Sequence, residues 1–202
     1  MTDKRDSLLN PHILSERPSR QTVRHHLMRY LFALNFIGDD DYVIDIGCGS
    51  GYGTNILGIR GNRVIGIDSS KEAVQYAKLH YPFDSFQVMD ALNLDGKWDF
   101  GVCFEFIEHL SRENGILFLR NISDHVSRLV LSSPVNAKIG ENPHHLSQWT
   151  VNDLRSWLEK GFSSVRFLSQ DWQSGHIGDL GCYHSFIIAV CGVTNDDSCI
   201  TN

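Results

Sequence analysis

Three glycines at alternate positions follow a β-branched run and precede a helical pattern. The run is 42–46, and the glycines are Gly47, Gly49 and Gly51. Glycine permits sharp turns with positive φ and lets a ligand approach the main chain closely. In open α/β sheets, ligands bind beyond the carboxyl ends of the strands, where such a turn leads into a helix. The segment therefore predicts a ligand site at the first strand-to-helix turn of an α/β fold.

The rest of the chain alternates between strand-like and helix-like patterns, which predicts a parallel sheet with right-handed crossovers. The last two strands have no helix between them, which favours an antiparallel hairpin at one edge. We expect one doubly wound, mostly parallel, seven-stranded Rossmann-like sheet with helices on both faces. The expected strands are 42–46, 63–67, 85–88, 100–104, 128–131, 163–168 and 183–191, and the expected helices are 21–37, 55–59, 69–80, 113–126 and 151–160.

Length and composition fit one globular domain. The chain has 202 residues, of which 42% are hydrophobic, so wholesale disorder is disfavoured. We expect a lead-in at 1–20, one domain at 21–193 and a polar tail at 194–202.

Five widely spaced cysteines without a C-x-x-C pair argue against a disulfide framework and favour a cytoplasmic location. The longest apolar runs are too short to span a bilayer.

Charge restricts the expected partners. The 18 basic and 24 acidic residues give a formal net charge of −6. A negative chain repels a phosphate backbone, so a nucleic-acid partner is disfavoured unless a local basic patch forms. The sequence leaves the oligomeric state open.

The glycine spacing separates two nucleotide cofactors. The dinucleotide fingerprint, G-x-G-x-x-G/A, requires glycine or alanine at position 52, where this chain has Tyr52. The pattern here is instead D-x-G-x-G-x-G, beginning at Asp45. It resembles the first motif of class I S-adenosylmethionine-dependent methyltransferases, in particular the small type-11-like domains. The resemblance implies S-adenosyl-L-methionine as the cofactor, with its methionine part held over the glycine loop.

Two acidic residues follow the next two expected strands. Asp68 lies at the end of the second strand, where a carboxylate can accept both hydroxyl hydrogens of a ribose; helix capping is the alternative. Asp90 follows the third strand, and the resemblance assigns it to the adenine amino group. The expected cofactor-binding residues are Tyr30, Asp45, Gly47, Cys48, Gly49, Gly51, Asp68, Ser69, Asp90, Ala91 and Phe104.

The fourth expected strand runs into Glu105, Glu108 and His109, a segment that resembles a methyltransferase motif bordering the transferred methyl group. His145 follows the fifth strand, so it can reach the same crevice. In one hypothesis His109 or His145 is a general base or orienting residue, and Glu105 touches the cofactor or the acceptor. In another, all four bind a divalent metal, because the quartet resembles the metal site of 2′-O-methyltransferases acting on small-RNA 3′ ends. Capping and surface roles remain the third possibility.

Further segments, including the H-x-x-R-Y-x-F-A stretch at 26–33, resemble small methyltransferases of glycan and polysaccharide biosynthesis. That resemblance implies O-methylation of a small-molecule or glycan-type acceptor. The alternatives are metal-assisted methylation of an RNA 3′ end and a catalytically inactive binding subunit. Tyr30 and Arg29 are candidates to close over the cofactor. In the alternative interpretation, Tyr30 lies on a packed helix face and Arg29 on a solvated one. The segment 171–181 is expected to be a loop, in which Trp172 would stack on a ligand or shield the sheet.

Overall fold

The structure, a computed structural model, describes residues 20–60, 63–82, 84–135, 144–180 and 186–193. Its helices are α1 (Arg20–Ala33), α2 (Tyr52–Leu57), α3 (Lys71–His80), α4 (Arg112–Asn121) and α5 (Val151–Gly161). Its strands are β1 (Tyr42–Ile46), β2 (Arg63–Asp68), β3 (Ser85–Val88), β4 (Trp98–Phe104), β5 (Val126–Pro134), β6 (Val165–Gln170), β7 (Ile177–Asp179) and β8 (Phe186–Cys191). The expected tail at 194–202 lies outside the described residues, as do nearly all of the expected lead-in and the first residues of the last expected strand.

The strands form one mixed sheet in the order β3-β2-β1-β4-β5-β8-β6-β7. The first five are parallel, whereas β8 runs antiparallel to both β5 and β6. The prediction of a mostly parallel α/β sheet with an antiparallel edge is therefore confirmed. The expected number of seven strands is wrong, because the described residues form eight.

The unexpected strand is β7, which lies in the segment predicted to be a loop. It pairs antiparallel with β6 through Leu168 opposite Asp179 and Gln170 opposite Ile177. Its sequence, Ile-Gly-Asp, contains two residues that are depleted in strands. This strand therefore forms because it pairs with β6, and no local sequence pattern predicts it.

Helices cover both faces of the sheet, as predicted. Adjacent residues of β1 point to opposite faces, so Val43 packs with the buried side of α1 while Ile44 packs with α4 and α5. Both residues are fully buried. No helix among the described residues has the length and apolar character needed to cross a membrane.

Several expected element boundaries shift. Helix α1 ends at Ala33 rather than at 37, and a single 3₁₀ turn follows it. Helix α2 starts at Tyr52, three residues earlier than expected. At the start of α3, Ser70 accepts the Ala73 N–H, and Thr150 forms a capping box at the start of α5.

Candidate active site

A cavity of about 530 Å³ lies beyond the carboxyl ends of β1 to β4. Its size is within the usual range for small-molecule sites. Most of the predicted site residues line it together, although they come from distant parts of the sequence. Those that line it are Tyr30, Gly47, Cys48, Gly49, Asp68, Ser69, Asp90, Ala91, Phe104, Glu105, Glu108, His109 and His145.

The glycine loop forms the floor of this cavity. Gly47, Gly49 and Gly51 have φ values of +74°, +53° and +86°, which favour glycine. A Cβ on Gly47 would lie 2.7 Å from the ring of Phe106, whereas a Cβ on Gly49 would meet nothing within 4 Å. The backbone at Gly49 therefore borders open space into which a ligand can enter.

Asp68 joins the loop to the start of α3. Its Oδ2 accepts the Gly49 N–H at 3.0 Å, and its Oδ1 accepts the Ser70 N–H at 2.8 Å. A carboxylate has about four lone-pair sites, so these two bonds leave capacity for the hydroxyls of a ribose. Asp90 lies next along the cavity, where its Oδ1 accepts the Leu92 N–H at 2.9 Å. Both carboxylates thus hold nearby main-chain N–H groups in place and also line the cavity.

Two predicted cofactor-binding residues, Asp45 and Gly51, lie outside the cavity lining. Asp45 is fully buried behind the loop, where it accepts hydrogen bonds from the hydroxyls of Thr54, at 2.7 Å, and Tyr30, at 3.3 Å. Burial raises the pKa of Asp45 to about 7. Gly51, the last glycine of the loop, faces away from the cavity, where a Cβ would be 2.6 Å from that of Ala77. Both residues therefore support the loop from behind.

The side chain of Arg29 is fully buried, so it does not lie on a solvated helix face. It is also not among the residues that line the cavity. Its Nη1 lies 2.5 Å from Oε1 of Glu105 and 3.1 Å from Oγ of Ser132. Its guanidinium also lies 4.4 Å from the ring centroid of Phe186. Arg29 therefore connects α1 to the cavity wall through Glu105.

Glu105 has a strained backbone. It is the only non-glycine residue in the described part of the chain with positive φ, at +50°. Such a conformation costs on the order of 1 kcal/mol and persists where surrounding contacts impose it. Ser132 supplies two of these contacts, since its Oγ accepts the Glu105 N–H and donates to Oε1. Sequence reasoning missed Ser132, which carries no motif.

Glu108 is buried, and within the described structure neither carboxyl oxygen has a hydrogen-bond partner. Burial and the nearby Glu105 raise its pKa well above the ordinary value. Ligand atoms of Glu108, His109 and His145 lie within 4.8 Å of one another. Glu105 is not part of this group, so the structure assembles three of the four residues of the predicted metal quartet.

The two histidines meet at the same end of the cavity, with ring centroids 5.2 Å apart. Nδ1 of His109 lies 2.9 Å from the carbonyl oxygen of His144. Because a carbonyl can only accept, Nδ1 carries the hydrogen and Nε2 keeps a lone pair. Burial lowers the pKa of both His109 and His145. One carboxylate and two imidazoles form a donor set that suits Mn²⁺, Fe²⁺, Co²⁺ or Zn²⁺ better than Mg²⁺.

A network of hydrogen bonds holds the His145 segment in place. The N–H groups of Leu146 and Ser147 both donate to the carbonyl of Glu108, at 2.8 and 3.1 Å. The buried indole of Trp149 donates to Ser147 Oγ at 2.8 Å. This network holds His145 beside His109, and no sequence pattern indicated the roles of Ser147 and Trp149.

Two more cavity residues were missed by sequence reasoning. His26, on α1, and Tyr52, at the start of α2, line the cavity above the glycine loop. Nδ1 of His26 lies 3.0 Å from the hydroxyl of Tyr52. The signal for His26 was its spacing of four residues from Tyr30, which places both on the same face of α1.

A family model described as a methyltransferase domain matches residues 17–174. A putative methyltransferase of invertebrate iridescent virus 6 is 41% identical over 85 residues, which cover 38% of this chain and 32% of the relative. A ubiquinone biosynthesis O-methyltransferase of Chromobacterium violaceum is 36% identical over 76 residues, which cover 34% of this chain and 33% of the relative. The chain thus spans about a third of the length of these curated relatives.

The fold also resembles solved structures. The crystal structure of the small RNA methyltransferase HEN1 matches with a TM-score of 0.67 and 23% identity, over 82% of this chain and 25% of that chain. At this identity the likeness shows the fold alone. Structures of the same fold include ones with bound S-adenosylmethionine and with bound S-adenosylhomocysteine. Since the family model covers most of its length, the chain belongs to the methyltransferase-domain family of S-adenosylmethionine-dependent enzymes.

Proposed function

We propose that this chain transfers a methyl group from S-adenosylmethionine to a hydroxyl oxygen of a small-molecule or glycan-type acceptor in the cytoplasm. The proposal is based on the close approach of the His109 and His145 rings at one end of the cavity, with centroids 5.2 Å apart. The lowered pKa of each imidazole keeps it neutral near pH 7. A neutral imidazole can accept the proton that a hydroxyl loses as it is methylated.

The opposite end of the cavity suits the nucleoside of the cofactor. Asp68 would hold the ribose hydroxyls and Asp90 the adenine amino group, while the loop from Gly47 to Gly49 would carry the methionine part. This placement puts the sulfur beside Phe104 and Glu105, next to the two histidines. The residues that would contact the cofactor are Tyr30, Gly47, Cys48, Gly49, Asp68, Ser69, Asp90, Ala91 and Phe104.

S-adenosylmethionine supplies a methyl group on a positively charged sulfur, which leaves as a neutral thioether. The residues of the chain must therefore align the acceptor oxygen with the sulfur–methyl bond and exclude water. Glu105, held by Arg29 and Ser132, orients the acceptor. His109 presents Nε2 as a proton acceptor, and His145 beside it is the second candidate base.

An uncharged acceptor fits the electrostatics of the cavity. Among the described residues that line it, four are carboxylates and none is lysine or arginine. An anionic acceptor would find no lysine or arginine side chain among these lining residues to bind it. The ubiquinone O-methyltransferase among the curated relatives supports a hydroxyl acceptor, because its name states that oxygen is methylated.

The test is transfer of a labelled methyl group from S-adenosylmethionine to a panel of catechols and neutral saccharides. We expect an O-methylated product, and we expect His109→Gln and His145→Ala to lower kcat by about 100-fold or more. The Kd for S-adenosylhomocysteine should change little in both variants, and the exposed His80→Ala should match the wild type. Methylation at nitrogen or carbon, or unchanged kcat in both variants, would contradict the proposal.

Calorimetry with S-adenosylhomocysteine addresses the alternative of an inactive binding subunit. Such a subunit would bind the nucleoside and release no methylated product with any acceptor. Folded protein that produces no heat on titration would instead contradict the placement of the cofactor in this cavity.

The second candidate function is metal-assisted 2′-O-methylation of an RNA 3′ end. It is favoured by the three clustered ligand groups of Glu108, His109 and His145, and by the buried carboxylate of Glu108, which has no hydrogen-bond partner within the described structure. A divalent ion would supply an electrophilic contact for the acceptor hydroxyl, and these three side chains would hold it. The net charge of −6 argues against an RNA substrate.

Manganese binding separates the two candidates. If the metal hypothesis holds, Mn²⁺ raises the melting temperature of the wild-type protein, Glu108→Gln abolishes that rise, and EDTA stops methylation of an RNA end. Activity that survives EDTA, together with an unchanged melting temperature in Mn²⁺, would leave the general-base proposal as the sole candidate.

A further inference from the structure

We infer that His26 binds the carboxylate of the amino-acid part of the cofactor, with Tyr52 as the residue that positions it. The inference rests on S-adenosylmethionine as the cofactor of the proposed function, and it assigns a specificity-determining contact at the end of the cavity formed by α1.

The layout of the cavity places this contact. Asp68 binds the glycine loop on one side through the N–H of Gly49. Tyr52, the first residue of α2, lies at the other end of that loop and packs against Tyr30 with ring centroids 5.5 Å apart. A nucleoside held at Asp68 therefore directs a substituent on its 5′ carbon across the loop toward Tyr52 and His26.

Hydrogen bonding determines which nitrogen of His26 carries the proton. Burial raises the pKa of Tyr52, so the hydroxyl stays protonated and needs an acceptor. We infer that it donates to Nδ1 of His26, which lies 3.0 Å away. Burial lowers the pKa of His26 well below its ordinary value, so the ring is neutral. The proton of the neutral ring therefore lies on Nε2, which becomes a hydrogen-bond donor.

The charge around this donor favours an anion. Arg29, three residues after His26 on α1, acts on it as a positive charge, although it is itself paired with Glu105. Thr22, one turn earlier on the same face, also lines the cavity. Of the groups that the cofactor carries, the α-carboxylate is the one that requires such donors.

The experiment compares two ligands that differ by the amino-acid part. S-adenosylhomocysteine has the carboxylate, whereas 5′-methylthioadenosine retains the nucleoside and sulfur without it. Calorimetry should show that His26→Ala weakens S-adenosylhomocysteine binding by about tenfold or more, the loss typical of a hydrogen bond to a charged group. Binding of 5′-methylthioadenosine should change less than about twofold.

Two conservative variants separate the two ring nitrogens. Glutamine places its amide nitrogen near the position of Nε2, and asparagine places its amide near that of Nδ1. We expect His26→Gln to retain most of the affinity for S-adenosylhomocysteine and His26→Asn to lose it as His26→Ala does. Tyr52→Phe should cause a smaller loss, again for S-adenosylhomocysteine alone. His80→Ala, an exposed histidine on α3, is the matched control.

The outcomes are distinct. Equal losses for both ligands would assign His26 to the packing of α1 and overturn the inference, and so would unchanged affinity for both. A wild-type protein that binds 5′-methylthioadenosine and S-adenosylhomocysteine equally well would overturn it too, while leaving the nucleoside placement intact. Failure to bind either ligand would instead contradict the cofactor placement itself.

Discussion

Nη1 of Arg29 lies 2.5 Å from Oε1 of Glu105, so a helix near the start of the described chain is tied to the end of β4 by a buried ion pair. Removing one partner of such a pair leaves an uncompensated charge and typically costs about 3–5 kcal/mol. We expect Arg29→Leu to lower the free energy of unfolding by this amount, as measured by urea denaturation.

The control for this prediction is Arg24→Leu, which removes an exposed arginine of the same helix. It should change the free energy of unfolding by less than about 0.5 kcal/mol. Combining Arg29→Leu with Glu105→Gln should recover part of the loss, because the second change removes the unpaired carboxylate. A loss that is the same in both arginine variants would mean that the ion pair adds no stability.

The buried Asp45 predicts a pH dependence of stability. Its pKa of about 7 in the folded protein lies above the ordinary value of 3.8, so the folded protein retains a proton that the unfolded chain releases. The contribution of Asp45 is therefore fully present below about pH 4 and is lost as the pH rises to about 7. Three pKa units correspond to about 4 kcal/mol.

Asp45→Asn cannot ionise, so it tests this dependence directly. Between pH 4 and pH 7, the free energy of unfolding of the variant should rise relative to that of the wild type, by an amount on the order of 4 kcal/mol. Urea denaturation at several pH values measures the difference. Parallel pH curves for the two proteins would show that Asp45 keeps an ordinary pKa.

Two glycines of the loop should respond differently to alanine. In Gly51→Ala the new Cβ would lie 2.6 Å from that of Ala77, so we expect a loss of stability of about 2 kcal/mol or more. In Gly49→Ala the new Cβ would enter open space, so the stability loss should be limited to the positive-φ cost of about 1 kcal/mol. The affinity for S-adenosylhomocysteine should fall in Gly49→Ala, because the methyl group occupies ligand space.

Thermal unfolding and calorimetry measure the two effects on the same samples. If Gly49→Ala binds S-adenosylhomocysteine as the wild type does, the ligand does not approach the loop at that residue.

Gly115 allows Trp149 to lie against α4. A Cβ on Gly115 would be 2.3 Å from Cζ2 of the indole, so Gly115→Ala must displace Trp149. Because Trp149 donates to Ser147, the displacement should loosen the segment that holds His145 beside His109. We expect a stability loss of about 1–3 kcal/mol, a shift in tryptophan fluorescence and a fall in kcat.

Leu117→Ala, at a more exposed position on the same helix, is the control and should alter neither fluorescence nor kcat. If Gly115→Ala lowers stability while kcat stays unchanged, the position of His145 does not depend on Trp149.

The features that could be predicted from the sequence have local causes. The positive φ values of the loop require glycine, so the loop could be located from its own residues. Asp68 was selected because it ends a strand of the expected parallel sheet, and Asp90 because of the family resemblance. Their positions on the cavity lining agree with that selection, and their roles toward the cofactor stay predictions.

The features that could not be predicted depend on distant parts of the chain. Arg29 and Glu105 are 76 positions apart, and no periodicity indicates that they pair. Asp45 was assigned to the cofactor by its motif, but the alternation of side chains along β1 and the position of Thr54 turn it toward the interior. Strand β7 exists because β6 offers an unpaired edge.

The position of β8 has a consequence for synthesis of the chain. Because β8 lies between β5 and β6, β6 can take its native position in the sheet only after residues 186–191 have been synthesised. Phe186, whose ring covers the guanidinium of Arg29, arrives at that same moment. The nascent chain can therefore form the five parallel strands on the nucleoside side of the cavity early, whereas the ring that covers Arg29, the partner of Glu105, is added only when translation has passed the final described strand.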